Sequence, residues 1–138
     1  MAEPISAKIR LALGTFAAAT VMWIFAGFWH NDLGPGLLNG TGTHLSAKSL
    51  SLTFLAFAIL ASIFARVYSL LPEDRRTVIA GLRIGVYGGI IWSFPHALLT
   101  GAGAGEPIAP VLLHTLVHMV EEGLGGTVMA LIYHLQAR

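Results

Sequence analysis

Four long stretches of the chain are almost free of charged residues, and short polar or glycine-rich segments separate them. The first runs from Leu11 to Trp29 without a charge, and as a helix it would rise about 28 Å, close to the ~30 Å hydrocarbon layer of a bilayer. The second stretch ends before Pro72, and the fourth begins at Pro110, a residue favoured in the first turn of a helix. The pattern predicts four membrane-spanning helices, at about 11–30, 49–71, 84–101 and 110–135.

The composition agrees with a membrane protein and excludes a water-soluble globule. Hydrophobic residues make up 55% of the 138 positions and charged residues 11%, with a mean hydropathy of +0.73, whereas soluble domains carry about 25% charged residues. The length allows one domain, so we expect residues 1–138 to form a single all-α four-helix bundle. The absence of cysteine excludes disulfides and thiolate metal sites, and a net charge of +1 offers no general field for nucleic acid.

The lysines and arginines indicate how the predicted helices are oriented. Only Lys48 falls in the first loop, while the other seven fall near the two ends of the chain or around the loop between the second and third helices. Because positive residues are retained in cytoplasmic loops, we expect both termini in the cytoplasm of a multi-pass protein of the bacterial inner membrane. With three or five crossings, the positively charged segments would no longer all lie on the same side of the membrane. The seven residues are Lys8, Arg10, Arg66, Arg75, Arg76, Arg83 and Arg138.

Glycines at helical spacing predict where the helices pack closely. On the third predicted helix, Gly85 and Gly89 share a stripe with Trp92 and His96. Small residues at such positions let membrane helices approach each other closely, so we expect helix–helix contacts there. The fourth helix carries three further glycines, Gly123, Gly125 and Gly126.

The six histidines are distributed unevenly across the predicted bilayer. The topology places five of them in its outer half and only His134 near the inner surface. On the fourth helix, the motif H-x-x-x-H-x-x-E-E puts His114, His118 and Glu121 on one stripe, with Glu122 on its flank. The five outer histidines are His30, His44, His96, His114 and His118.

Two neighbouring glutamates near the middle of a membrane helix require a partner. An ionised carboxylate there costs on the order of 3 kcal/mol even on lenient insertion scales, so we expect Glu121 and Glu122 to face the bundle interior. No lysine or arginine lies at that depth, which leaves histidine, water, a cation or another protein chain as the partner. The sequence does not decide which of the two carboxylates points inward, because a modest rotation of the helix exchanges them.

These imidazoles and carboxylates predict a metal or haem site in the outer half of the bundle. Imidazole and carboxylate together suit iron, copper or zinc, and a b-type haem would use two histidines on different helices, here His96 and His118. Groups around the metal can orient its imidazole ligands or relay protons, and Glu121, Glu122 and His30 are the candidates for that role. The predicted metal ligands are His96, His114, His118, Glu121 and Glu122.

Three functions remain open from the sequence. The first is redox or proton-linked chemistry at the bound metal or haem. The second is a small proton- or cation-coupled transporter, acting as an oligomer because four helices enclose little space. The third is an accessory subunit of a larger membrane complex. Hydrogen bonding between helices is the alternative for His96, His114 and His118. No nucleophile or phosphate-loop motif indicates an enzyme class.

Overall fold

All regular structure in the described part of the chain is helical, as predicted. The computed structural model describes residues 6–37, 46–101, 105 and 108–135. A π-helical turn at Trp29–Leu33 follows the first helix, and a 3-10 turn at Glu73–Arg75 precedes the fourth. The helices are α1 (Ala7–Phe28), α2 (Gly34–Leu37), α3 (Ala47–Leu70), α4 (Val78–Thr100) and α5 (Ile108–Leu135).

Side-chain caps fix where three of the long helices begin. The hydroxyl of Ser6 accepts a hydrogen bond from the backbone N–H of Ile9, and Ser46 and Thr77 cap α3 and α4 in the same way. Each cap satisfies one of the N–H groups that the first turn of a helix leaves unpaired. At the other end, α3 stops at Leu70, close to Pro72, whose ring cannot continue a helix.

Among the residues that the structure describes, three helices are long and apolar enough to cross a membrane by length and composition: Ala7–Leu33, Ala47–Leu70 and Val78–Thr100. Their outward faces carry large apolar side chains, such as Ile91 and Leu99, which are 75% and 79% exposed. The fourth long helix, α5, has 28 residues and is about 42 Å long. It carries two glutamates and three histidines.

Helix α5 lies between α1 and α4, and α1 also packs against α3. Helices α3 and α4 are consecutive in the chain but share only a small interface. The α4–α5 contact is very close, because a Cβ atom added at Gly85 or Gly89 would overlap backbone atoms of α5. On a neighbouring face of α5, a Cβ atom at Gly125 would press against Met22 of α1. The prediction that these glycines form helix contacts is therefore confirmed.

A polar cluster, which we call the arginine end, ties four helices together at one end of the bundle. The Tyr133 hydroxyl accepts a hydrogen bond from Nη1 of Arg76 at 3.0 Å, and the Arg10 guanidinium lies 4.9 Å from the centre of the Tyr133 ring. The Tyr68 hydroxyl is 3.1 Å from Nε2 of His134. The start of α1, the end of α3, the start of α4 and the end of α5 thus meet at the same end.

Candidate functional site

The candidate site lies half-way along α5, where α4 comes closest to it. Gly89 of α4 lies against the backbone of His118, and Gly85 lies against the backbone of Glu122. Because glycine has no side chain, α4 packs its own backbone directly against this face of α5. The packing of α4 and of α1 against two faces of α5 therefore encloses the polar residues.

Three side chains of α5 form the core of the site, which we call the His118 cluster: His118, Glu121 and Glu122. Nδ1 of His118 lies 3.1 Å from Oε2 of Glu121 and also 3.1 Å from Oε1 of Glu122. The spacings of three and four residues place both carboxylates one helical turn from the imidazole. Glu121 is 2% exposed and Glu122 is fully buried. Both carboxylates thus face the interior, which resolves the choice that the sequence left open.

The His118 cluster is not satisfied by its own hydrogen bonds. A ring nitrogen carries at most one proton, so Nδ1 of His118 cannot donate a full hydrogen bond to both carboxylates. The remaining oxygens, Oε1 of Glu121 and Oε2 of Glu122, are buried and have no hydrogen-bond partner in the described part of the chain. Unpaired buried acceptors are costly, so the cluster is suited to hold an additional proton or a cation.

The donor atoms of the cluster match those of a transition-metal site. One imidazole nitrogen and one oxygen from each carboxylate lie within 4.8 Å of one another. Zinc binds such ligands at about 2.0–2.2 Å, so two ligands of a tetrahedral ion lie roughly 3.3 Å apart. The two nitrogen–oxygen distances of 3.1 Å are already close to that separation. Small side-chain adjustments would therefore admit a metal ion.

A cavity of about 430 Å³, which we call the histidine cavity, lies beside the cluster. The His114 ring contacts the His118 ring edge to face, with 4.6 Å between the ring centres. Ser93, which is buried, donates its hydroxyl hydrogen to the Gly89 carbonyl at 2.7 Å and therefore presents mainly an acceptor to the cavity. The cavity is lined by Trp92, Ser93, His96, His114 and His118.

His96 reaches this cavity from an exposed position. The buried face of α4 runs through Gly85, Gly89, Ser93 and Ala97. His96 lies seven residues after Gly89, close to the same stripe around the helix, but it is exposed. It lines the histidine cavity with His118 and lies outside the group of three closely spaced donor atoms. Its role as a metal or haem ligand stays a prediction.

The other histidines divide between the two ends of the bundle. His30, at the end of α1, is half-buried and lies close enough to His114 and His118 for their charges to interact. His134 belongs to the arginine end, where it contacts Tyr68. His44 lies outside the described residues. The predicted separation of His134 from His30, His96, His114 and His118 is therefore seen in the described part of the chain, and the roles of His114 and His30 stay predictions.

Sequence reasoning did not find the full contact pattern of the site. It paired His118 with one carboxylate at a time, whereas the structure places the imidazole between two. It also gave Ser93 no part, although Ser93 lines the histidine cavity. The available signal was the spacing of Ser93 from Gly89, because a residue four positions after a closely packed glycine lies on the same face of the helix.

Comparisons of the chain with protein-family models, with curated proteins and with solved structures found no match. The function is therefore argued from the geometry of the site alone.

Proposed function

We propose that this protein is a four-crossing protein of the bacterial inner membrane that binds one transition-metal ion at the His118 cluster. The metal would serve redox or proton-linked chemistry in the half of the bundle that faces away from the cytoplasm. One observation carries the proposal: a partly buried imidazole contacts two buried carboxylates, and each carboxylate keeps one oxygen without a partner in the described part of the chain.

The arginine end supports the proposed topology. Arg10 on α1 and Arg76 before α4 both lie against Tyr133 of α5. The two ends of the described chain and the α3–α4 connection are thus at the same end of the bundle, as four antiparallel crossings require. Because retained positive charge marks the cytoplasmic side, we assign this end to the cytoplasm and the His118 cluster to the outer half.

The donor set favours iron, zinc or copper over magnesium or calcium. One nitrogen and two carboxylate oxygens suit a borderline metal ion, whereas magnesium and calcium prefer oxygen donors alone. The two carboxylates would also offset the positive charge of a divalent ion, which matters in a medium where unpaired charge is costly. Three protein ligands leave at least one coordination position for water or a substrate. The neighbouring histidine cavity would provide access to that position.

A single metal ion fits this arrangement better than a b-type haem does. A b-type haem would use Nε2 of His118 and a ring nitrogen of His96 as its two protein ligands. In the structure, the two carboxylates instead converge on Nδ1 of His118, the nitrogen that could share a small ion with them, and the His114 ring packs directly against the His118 ring. An absorption spectrum of the purified protein distinguishes the two cases, because only haem gives a Soret band.

Metal content provides the direct test. We expect the protein, purified in detergent and loaded with zinc or iron(II), to retain about one ion per chain after desalting. The variant Glu121→Gln/Glu122→Gln keeps the side-chain shapes and should lose the ion. The matched control is Glu73→Gln/Asp74→Asn in the exposed 3-10 turn, which should retain it. A wild-type protein that retains no metal, or a cluster variant that retains it fully, would contradict the proposal.

A proton- or cation-coupled transporter is the second candidate, and the same unpaired oxygens favour it. Glu121 and Glu122 lie at the middle of α5, and in the described part of the chain no lysine or arginine pairs with either one. Carboxylates in such positions carry protons or cations in many membrane transporters. The protein would then act as an oligomer or as a subunit of a larger complex. Metal-free protein that takes up protons into liposomes, and loses this activity in the double-glutamine variant, would favour the transporter.

A further inference from the structure

A second feature of the molecule lies far from the His118 cluster, between α1 and α3. A groove of about 560 Å³ runs along these two helices at the end that contains Lys8 and Arg66. Small residues on the facing sides, such as Ala12 on α1 and Ala58 on α3, leave this space open. We call it the α1/α3 groove.

The walls of the groove are apolar, although two hydroxyl-bearing residues line it. The Thr15 hydroxyl donates to the carbonyl of Leu11 at 2.9 Å, and the Ser62 hydroxyl donates to the carbonyl of Ala58 at 2.7 Å. Both hydroxyl hydrogens are therefore used within their own helices. The groove offers a hydrocarbon-like surface along its length and is suited to an acyl chain.

The length of the groove matches one leaflet of a bilayer. On α1 it extends from Lys8 to Ala19, which corresponds to about 17 Å along the helix axis, and on α3 from Phe54 to Arg66, about 18 Å. Half of a ~30 Å hydrocarbon layer is about 15 Å. The rings of Phe16 and Phe54 contact each other edge to face and lie at the far end of the groove. A lipid of one leaflet would thus fit between the cations and the phenyl rings.

The charges at the mouth of the groove identify the headgroup. Lys8 and Arg66 are both exposed, and neither lies within ion-pair distance of a carboxylate in the ranges that the structure describes. Two unpaired cations above an apolar groove are complementary to an anionic phosphate carried on acyl chains. We propose that the α1/α3 groove binds one anionic phospholipid, with its phosphate at Lys8 and Arg66 and an acyl chain along Ala12 and Ala58.

Native mass spectrometry of the whole protein released from nanodiscs tests this proposal. The nanodiscs contain phosphatidylcholine and phosphatidylglycerol in equal amounts. Wild-type protein should retain one phosphatidylglycerol molecule in preference to phosphatidylcholine. Each cation near an anionic headgroup contributes roughly fivefold to binding, so Lys8→Gln/Arg66→Gln should weaken retention by about 30-fold. The matched control is Arg83→Gln, an exposed cation on α4 that lies outside the groove.

A second variant distinguishes lipid binding in the groove from lipid binding to an exposed positively charged surface. Ala12 is exposed, so Ala12→Leu fills the groove without disturbing the core and leaves both cations in place. We expect it to lose the bound phosphatidylglycerol as well. Retention by Ala12→Leu, retention by the double cation variant, or an equal loss in Arg83→Gln would each overturn the proposal. None of these results depends on whether the His118 cluster binds a metal ion.

Discussion

The close α4–α5 contact predicts that Gly85→Ala destabilises the protein, although alanine is a better helix former than glycine. A Cβ atom at position 85 would overlap the Glu122 carbonyl group and the Cα atom of Gly123. These are backbone atoms that cannot rotate away, so α4 would have to move from α5. Adding a methyl group to a well-packed interior costs about 1–3 kcal/mol, and the upper end applies here because the opposing atoms are rigid.

The helix-forming preference of alanine offsets part of that cost. Replacing glycine by alanine inside a helix contributes about 1 kcal/mol, so the net loss for Gly85→Ala should be about 2 kcal/mol. That loss corresponds to roughly a 30-fold change in the unfolding equilibrium constant, at 1.4 kcal/mol for each factor of ten. Gly27→Ala is the control, because its new methyl group would meet only Leu50 Cδ2 at 3.8 Å, an ordinary contact.

The assay is reversible unfolding in mixed micelles of a mild detergent and sodium dodecyl sulfate, followed by tryptophan fluorescence. Gly27→Ala should be as stable as the wild type or up to about 1 kcal/mol more stable. Gly85→Ala should unfold at a lower dodecyl sulfate fraction. If Gly85→Ala were as stable as Gly27→Ala, the backbone contact that encloses the His118 cluster would not exist as described.

Three further predictions follow from the site, the arginine end and the topology. Protons compete with metal for His118 and the carboxylates, so metal retention should fall as the pH is lowered from about 7.5 to about 5; equilibrium dialysis measures this, and constant retention would contradict ligation by these groups. Tyr133→Phe removes the acceptor of the Arg76 hydrogen bond and should cost about 1–2 kcal/mol of unfolding free energy in the same micelle assay; an unchanged stability would show that the bond contributes nothing. The natural chain has no cysteine, so in spheroplasts a membrane-impermeant maleimide should label Ser46→Cys but not Arg75→Cys; equal labelling would refute the four-crossing topology.

Much of the fold could be predicted from the sequence, because helices in a membrane are specified by local composition. The charge-free runs located the four long helices, and Pro72 and Pro110 lie close to the end of α3 and the start of α5. The predicted start of the third helix at 84 is wrong, because α4 begins at Val78, after the cap at Thr77, and includes the charged Arg83. The contact of His118 with Glu121 and Glu122 was also within reach, since residues three and four apart on a helix are neighbours whatever the rest of the chain does.

The features that could not be predicted from the sequence depend on how the helices are oriented relative to one another. Both carboxylates are buried because α1 and α4 cover two faces of α5, and a single-helix pattern does not contain that information. The exposure of His96 could not be predicted for the same reason. Helical spacing places His96 near the stripe of Gly85 and Gly89, but the packing of α4 decides which positions are buried, and these continue through Ser93 and Ala97.

X-ray absorption spectroscopy of the metal-loaded protein tests the central claim most directly. Zinc or iron bound at the His118 cluster should show a first shell of nitrogen and oxygen donors at about 2.0–2.2 Å, with the outer-shell scattering of a single imidazole. The Glu121→Gln/Glu122→Gln variant should show no ordered metal. A first shell of several imidazoles would instead assign the metal to the histidine cavity. An unchanged spectrum in that variant would contradict the proposal that these two carboxylates hold the ion.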